Sequence, residues 1–107
     1  MTTYAVAHLR NIRMGPDIIA YLEAIDETLT PYGGRFVLHG SGNKRVLEGS
    51  WDGDLIMIDF PDRPSAEGWY LSPAYQEILP LRTRNSEGDV ILVDGVGEGY
   101  RAKDIVR

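Results

Sequence analysis

The chain contains no cysteine, and that one absence removes disulfides, thiol nucleophiles and thiolate metal sites together. An intracellular, cytoplasmic address is compatible with it. Positive charge is scarce: 11 Lys and Arg stand against 16 Asp and Glu, a formal net charge of -5. Nucleic acids and anionic membrane surfaces select a basic face that displaces counterions, so neither is an expected partner. Long apolar runs are missing as well. The opening MTTYAVAHLRNIR is broken by His8 and Arg10, which suits neither a secretory leader nor a membrane-spanning helix. There is no internal repeat, and the two histidines, His8 and His39, have no spacing that makes a zinc or iron site or marks an axial haem ligand. No metal and no cofactor is expected.

What is present is an ordinary globular composition, 43% hydrophobic and 25% charged over 107 residues. That suffices for one domain, which at this size buries about two-thirds of the surface its unfolded chain exposes. Tyr4 to Arg10 alternates as a strand does. Gly15-Pro16-Asp17 then signals a helix start, with proline at the first position and an acid in the first turn. Ile18, Tyr21, Leu22, Ile25 and Leu29 recur at spacings of three and four and form its apolar stripe. Pro31 and the pair Gly33-Gly34 end it. Arg35 to His39 is a second strand, Gly40-Ser41-Gly42-Asn43 a turn, and Arg45 to Glu48 an extended arm. Asp54 to Phe60 is a third strand, whose unbroken run Leu55-Ile56-Met57-Ile58 calls for cover on both faces. Ser65 is a candidate cap for a helix ending at Leu71, and Ser72-Pro73 starts another helical piece that Pro80 should kink or end. Asp89 to Val93 closes the order βαββαβ, an α+β ferredoxin-like pattern with a four-stranded antiparallel sheet. The domain is expected over 1–96, with 97–107 a polar tail that is loose or clasps a partner.

Two helices cover one face of such a sheet and leave the other open. In the last strand Val90 and Leu92 point one way while Ile91 and Val93 point the other. Both faces therefore need burial, and a homodimer packed sheet on sheet supplies it. A monomer with the tail folded over the sheet is the alternative.

Several stretches, Tyr32-Gly33-Gly34-Arg35-Phe36, Glu48-Gly49-Ser50-Trp51, Ile58-Asp59-Phe60-Pro61 and Trp69-Tyr70-Leu71-Ser72-Pro73-Ala74-Tyr75-Gln76, with Leu81-Arg82 and Val93-Asp94-Gly95, resemble the family called domain of unknown function 1330. The resemblance runs from about Tyr4 to Val96. It implies the dimeric α+β barrel, two ferredoxin-like sheets face to face. Three positions depart from the family's pattern: His39-Gly40-Ser41-Gly42 stands where an arginine and two glycines are commoner, Asp59 replaces a glutamate, and Asn85-Ser86 replaces small apolar residues. The family implies no general reaction, and related barrels include cofactor-independent oxygenases, lactone isomerases, cyclases and haem enzymes.

The candidate site residues follow from their chemistry. Arg35 and Arg82 can each hold a carboxylate through a guanidinium fork, of a substrate or of an internal acid such as Glu48 or Asp59. Asp59 ends an apolar strand, where a carboxylate either pairs with an arginine or rises toward the range of a useful base. His8 and His39 could carry protons if they project to one side of adjacent strands, or serve the fold alone. Trp69, Tyr70 and Tyr75 could stack on a flat organic substrate or simply pack on the sheet. No phosphate loop and no activated serine is present. The sequence thus points to a small-molecule ligand, with Asp59, Arg82, His8 and His39 as catalytic candidates and Arg35, Trp69, Tyr70 and Tyr75 as binding candidates. The function classes left open are a cofactor-independent oxygenase, isomerase or cyclase on an aromatic or polyketide-like substrate, and a non-catalytic metabolite-binding or structural dimerisation module.

Overall fold

Strands β1 (Thr3–Arg10), β2 (Arg35–His39), β3 (Asp54–Phe60) and β4 (Glu87–Asp94) and helices α1 (Pro16–Leu29), α2 (Arg63–Leu71) and α3 (Pro73–Thr83) make up the computed structural model. It describes residues 1–40 and 42–106; Ser41 of the glycine turn and Arg107 of the tail lie outside the described residues. The strands form one antiparallel sheet in the order β2-β3-β1-β4. This is the α+β ferredoxin-like arrangement that the residue pattern predicts, with β1 and β3 at the centre.

Helix α1 begins at Pro16, whose missing N–H costs nothing in a first turn. It runs into a single 3-10 turn over Thr30–Tyr32 that Gly33 closes with φ 70, the left-handed geometry a helix exit favours. Helix α2 starts two residues before the expected cap. Asp62, not Ser65, is its N-cap and accepts a hydrogen bond from the Ser65 backbone N–H at 2.8 Å, because aspartate is at least as good an N-cap as serine and Pro64 fits the first turn. Ser72 does cap α3, its Oγ accepting from the Tyr75 N–H at 3.2 Å. Pro80 does not end that helix, which continues to Thr83. The last turn is retained by Arg84 N–H donating to the Pro80 carbonyl at 3.1 Å, a bond for which proline is still competent. The Arg45–Glu48 arm makes no strand pairing, and all four residues are exposed.

Along β1 the side chains of Ala5, Ala7 and Leu9 face the helices, and across the ladder Ala5 sits opposite Ile58 and Leu92. The core is built there: Ala5, Ile58 and Phe60 from the sheet pack against Tyr21, Ile25 and Leu29 of α1, Ala66 and Trp69 of α2 and Tyr75 of α3. By the two-residue period of strands, Tyr4, Val6, His8, Leu55, Met57, Ile91 and Val93 fall on the opposite face. Among the described residues no α-helix covers it; Ile91 remains 55% and Val93 42% exposed.

Strand β2 breaks that period once. Phe36 pairs with Ile58 but Leu38 pairs with Met57, so Val37 is the extra residue of a β-bulge. Arg35 and Leu38 consequently lie on the open face, whereas Phe36 and His39 both turn toward the helices and their rings meet at 4.8 Å.

Candidate functional site

Between the sheet and helices α1 and α3 lies a cavity of about 380 Å³, within the size range of small-molecule sites. Its sheet wall is apolar, from Ala7, Leu9, Ile56, Ile58 and Phe36, and Ile18, Leu22 and Ile25 of α1 continue it. A wider concavity of about 550 Å³ runs under the 42–51 segment, but every described residue of that segment is exposed.

One end of the 380 Å³ cavity is polar. Tyr21 of α1 and Tyr75 of α3 are both buried and their hydroxyls are 2.7 Å apart. Arg82 follows Tyr75 by two turns of α3, which puts both side chains on one helix face. Its guanidinium carbon lies 5.8 Å from the Tyr21 ring centroid, close enough for its charge to act on both hydroxyls. Burial, then Tyr75, pushes the Tyr21 hydroxyl well above the ordinary tyrosine value, and Arg82 only partly offsets this. Burial also works against the Arg82 charge, yet the two tyrosines outweigh it and hold its pKa above the usual arginine value. The cluster is therefore one arginine beside two phenol hydroxyls, of which burial holds that of Tyr21 protonated at neutral pH.

Trp69 of α2 backs this cluster, its ring 4.1 Å from that of Tyr75. It is anchored by its Nε1–H, which donates to Thr28 Oγ1 at 2.9 Å; the Thr28 hydroxyl in turn donates to the Ile25 carbonyl at 2.6 Å. Tyr70 touches Tyr75 at 5.5 Å between ring centroids but does not line the cavity. At the other end His39, Gly40 and Asp54 form a rim, and Lys44 Nζ lies 4.0 Å from Asp54.

The structure thus brings His39, Trp69, Tyr75 and Arg82 to one cavity and sends the other candidates elsewhere. Asp59 and Arg35 lie on the open face, opposite each other across β2 and β3, with Arg35 Nε 3.4 Å from the Asp59 carboxylate. Their places follow from strand parity, since Ile58 beside Asp59 takes the helix-facing position. His8 is on the open face too. Its Nε2–H donates to the Asp52 carbonyl at 2.7 Å, Arg10 donates to its Nδ1 at 3.2 Å, and Trp51 stacks on the ring at 4.6 Å. The two histidines accordingly sit on opposite faces of strands that are not neighbours. Tyr21, Asp54 and Ser86 line the cavity without having been singled out. For Tyr21 a signal existed, because a tyrosine inside an apolar stripe needs a partner for its hydroxyl.

Among the described residues no group of three or more His, Cys, Asp and Glu is placed to hold a metal ion, and no helix is long and apolar enough to cross a membrane.

The fold is shared with solved structures at low sequence identity. A protein of unknown function from Rhodopseudomonas palustris superposes with a TM-score of 0.65 at 14% identity, covering 90% of this chain and 83% of its own. A dimeric ferredoxin-like protein of unknown function from Jannaschia sp. CCS1 gives 0.63 at 14%, covering 89% and 100%. SnoaB, a cofactor-independent oxygenase from Streptomyces nogalater, gives 0.61 at 13%, covering 94% and 98%. Among curated proteins none matches the sequence significantly. The profile of one family does match, over residues 2–96, and the chain belongs to that family, the domain of unknown function DUF1330.

Proposed function

We propose that the chain acts as a homodimer in which each protomer binds one small, flat, largely apolar organic molecule between its sheet and helices α1 and α3. The observation that carries this reading is the 380 Å³ cavity with apolar walls and a polar end formed by the buried Tyr21 and Tyr75 and the half-buried Arg82. That combination of apolar volume and few convergent polar groups is what a small-molecule site requires. The uncovered sheet face, carrying Val6, Met57, Ile91 and Val93, supports the dimer, as does the dimeric ferredoxin-like structure from Jannaschia.

Proton-transfer chemistry on an aromatic or polyketide-like substrate suits this site: a cofactor-independent oxygenation, an isomerisation or a cyclisation. SnoaB supports the first of these by fold alone. In this reading His39 at the rim is the proton carrier, since histidine is the side-chain type that titrates near neutral pH. Arg82 and the tyrosine hydroxyls stabilise the charge that develops on substrate oxygen, and Trp69 and Tyr75 wall its ring. Asp59 and His8 take no part in the cavity.

The test is incubation of the purified protein with hydroxylated polycyclic substrates, following oxygen uptake and product spectra beside His39→Gln and Arg82→Gln. Turnover that falls at least tenfold in both variants supports the assignment. Binding without turnover in the native chain would instead mark a metabolite-binding module, and absence of binding would overturn the reading.

A further inference from the structure

Building on the cavity as a ligand site, we infer that its ligand is held as an organic oxyanion, a flat apolar body with one ionised oxygen that meets Arg82 and the Tyr21 and Tyr75 hydroxyls.

The first argument is a count of donors. A guanidinium offers five N–H groups and accepts nothing, while each phenol adds one O–H. The bond between the two hydroxyls consumes one hydrogen, and the nearby Ser86 Oγ–H is spent on the Arg82 carbonyl at 2.8 Å. The protein's own oxygens at this end of the cavity do not take all these hydrogens, and since no donor there among the described residues is both buried and unsatisfied, the remainder are open to solvent or to a guest. A neutral ketone or ether relieves part of that excess, whereas an oxyanion accepts several strong bonds at once.

The second argument is charge. No carboxylate among the described residues makes an ion pair with Arg82. Asp17, one turn before Tyr21 on α1, is engaged by Asn85 Nδ2 at 3.3 Å. Asp54 and His39, from β3 and β2, stand at the rim, and Lys44 lies beside Asp54. Tyr21 does not neutralise the cation, because burial keeps it protonated. A half-buried cation at the end of an apolar cavity, with no carboxylate among the described residues paired to it, favours an anionic guest and disfavours a cationic one.

The experiment uses two probes of nearly equal shape, coumarin and 7-hydroxycoumarin, whose phenol titrates visibly. In the native protein the phenol of bound 7-hydroxycoumarin is expected to titrate about one unit lower than in buffer, roughly a tenfold preference for its anion. Arg82→Met is expected to abolish that shift and Arg82→Lys to keep at least half of it, while coumarin binds all three proteins within about threefold; circular dichroism confirms each fold. Should Arg82→Met fail to fold, the Lys variant and Tyr21→Phe, which removes one donor and keeps the charge, carry the comparison. Coumarin binding together with an unshifted or raised phenol titration overturns the oxyanion inference and leaves the cavity reading intact. Failure of both probes to bind overturns the cavity reading and the inference with it.

Discussion

Replacing Thr28 by valine isolates one contact that holds the Trp69 ring against the cavity wall. The indole Nε1–H donates to the Thr28 hydroxyl at 2.9 Å, in a place where Trp69 is only 2% exposed. Valine keeps the shape of threonine but offers no acceptor, so the indole N–H is left buried without one. Such a group costs about 1–3 kcal/mol, and the lost bond from Thr28 to the Ile25 carbonyl adds little, because a helical carbonyl retains its backbone donor. A net loss of about 2 kcal/mol corresponds to a fall of about 1 M in the urea midpoint for a slope typical of small domains, at fixed protein concentration because a dimer's midpoint depends on it. Thr28→Ser, which keeps the hydroxyl, should stay within about 0.5 kcal/mol of the native chain. The decisive arm is the same substitution in a Trp69→Phe background, where there is no N–H to orphan and the cost should shrink to about 0.5 kcal/mol or less. An equal loss in both backgrounds would refute the account, showing that Thr28 acts through α1 alone.

Three further outcomes are expected. Gly88→Ala should lower stability by several kcal/mol or prevent folding, since Gly88 holds φ 148 in β4 and an added Cβ would run into the His8 carbonyl of the neighbouring strand; an unchanged thermal midpoint would contradict this. Asp94 is held below the usual carboxylate range first by the Thr3 hydroxyl at 2.8 Å and then by Arg63 at 3.0 Å, so its contribution is present above about pH 4 and is lost as pH falls through its lower folded value. Urea midpoints of the native chain and Asp94→Asn should therefore differ at pH 6 and converge toward pH 2, and a gap that widens on acidification would have the wrong sign. Ile91→Glu puts a charge in the middle of the open sheet face and should halve the sedimenting mass at micromolar concentration; a variant that remains dimeric would remove that face from the interface.

Much of this fold is legible in the residues because several signals coincide. Strands β2 and β3 carry their turn residues at both ends, and α1 has a proline start, an apolar stripe and a glycine exit. Pro80 misleads because a proline's carbonyl can still accept, so α3 continues past it. The cavity is only half legible. Trp69, Tyr75 and Arg82 stand out as aromatic and cationic residues on adjoining helical pieces, but Asp59 does not reveal its side of the sheet, because Leu55-Ile56-Met57-Ile58 is apolar at both parities. Tyr21 is hidden for a similar reason: within an apolar stripe, a hydroxyl that needs a partner reads as one more core ring.

The unpaired Val37 gives strand β2 something like a reading frame. Were Val37 instead to take a regular place in the ladder opposite Met57, Leu38 and His39 would exchange destinations, a leucine turning inward and an imidazole toward the surface proposed to meet the twin subunit. One unpaired residue thus sets both the polarity of the cavity mouth and the greasiness of the proposed contact between copies, and a slip that absorbs the bulge changes the two together.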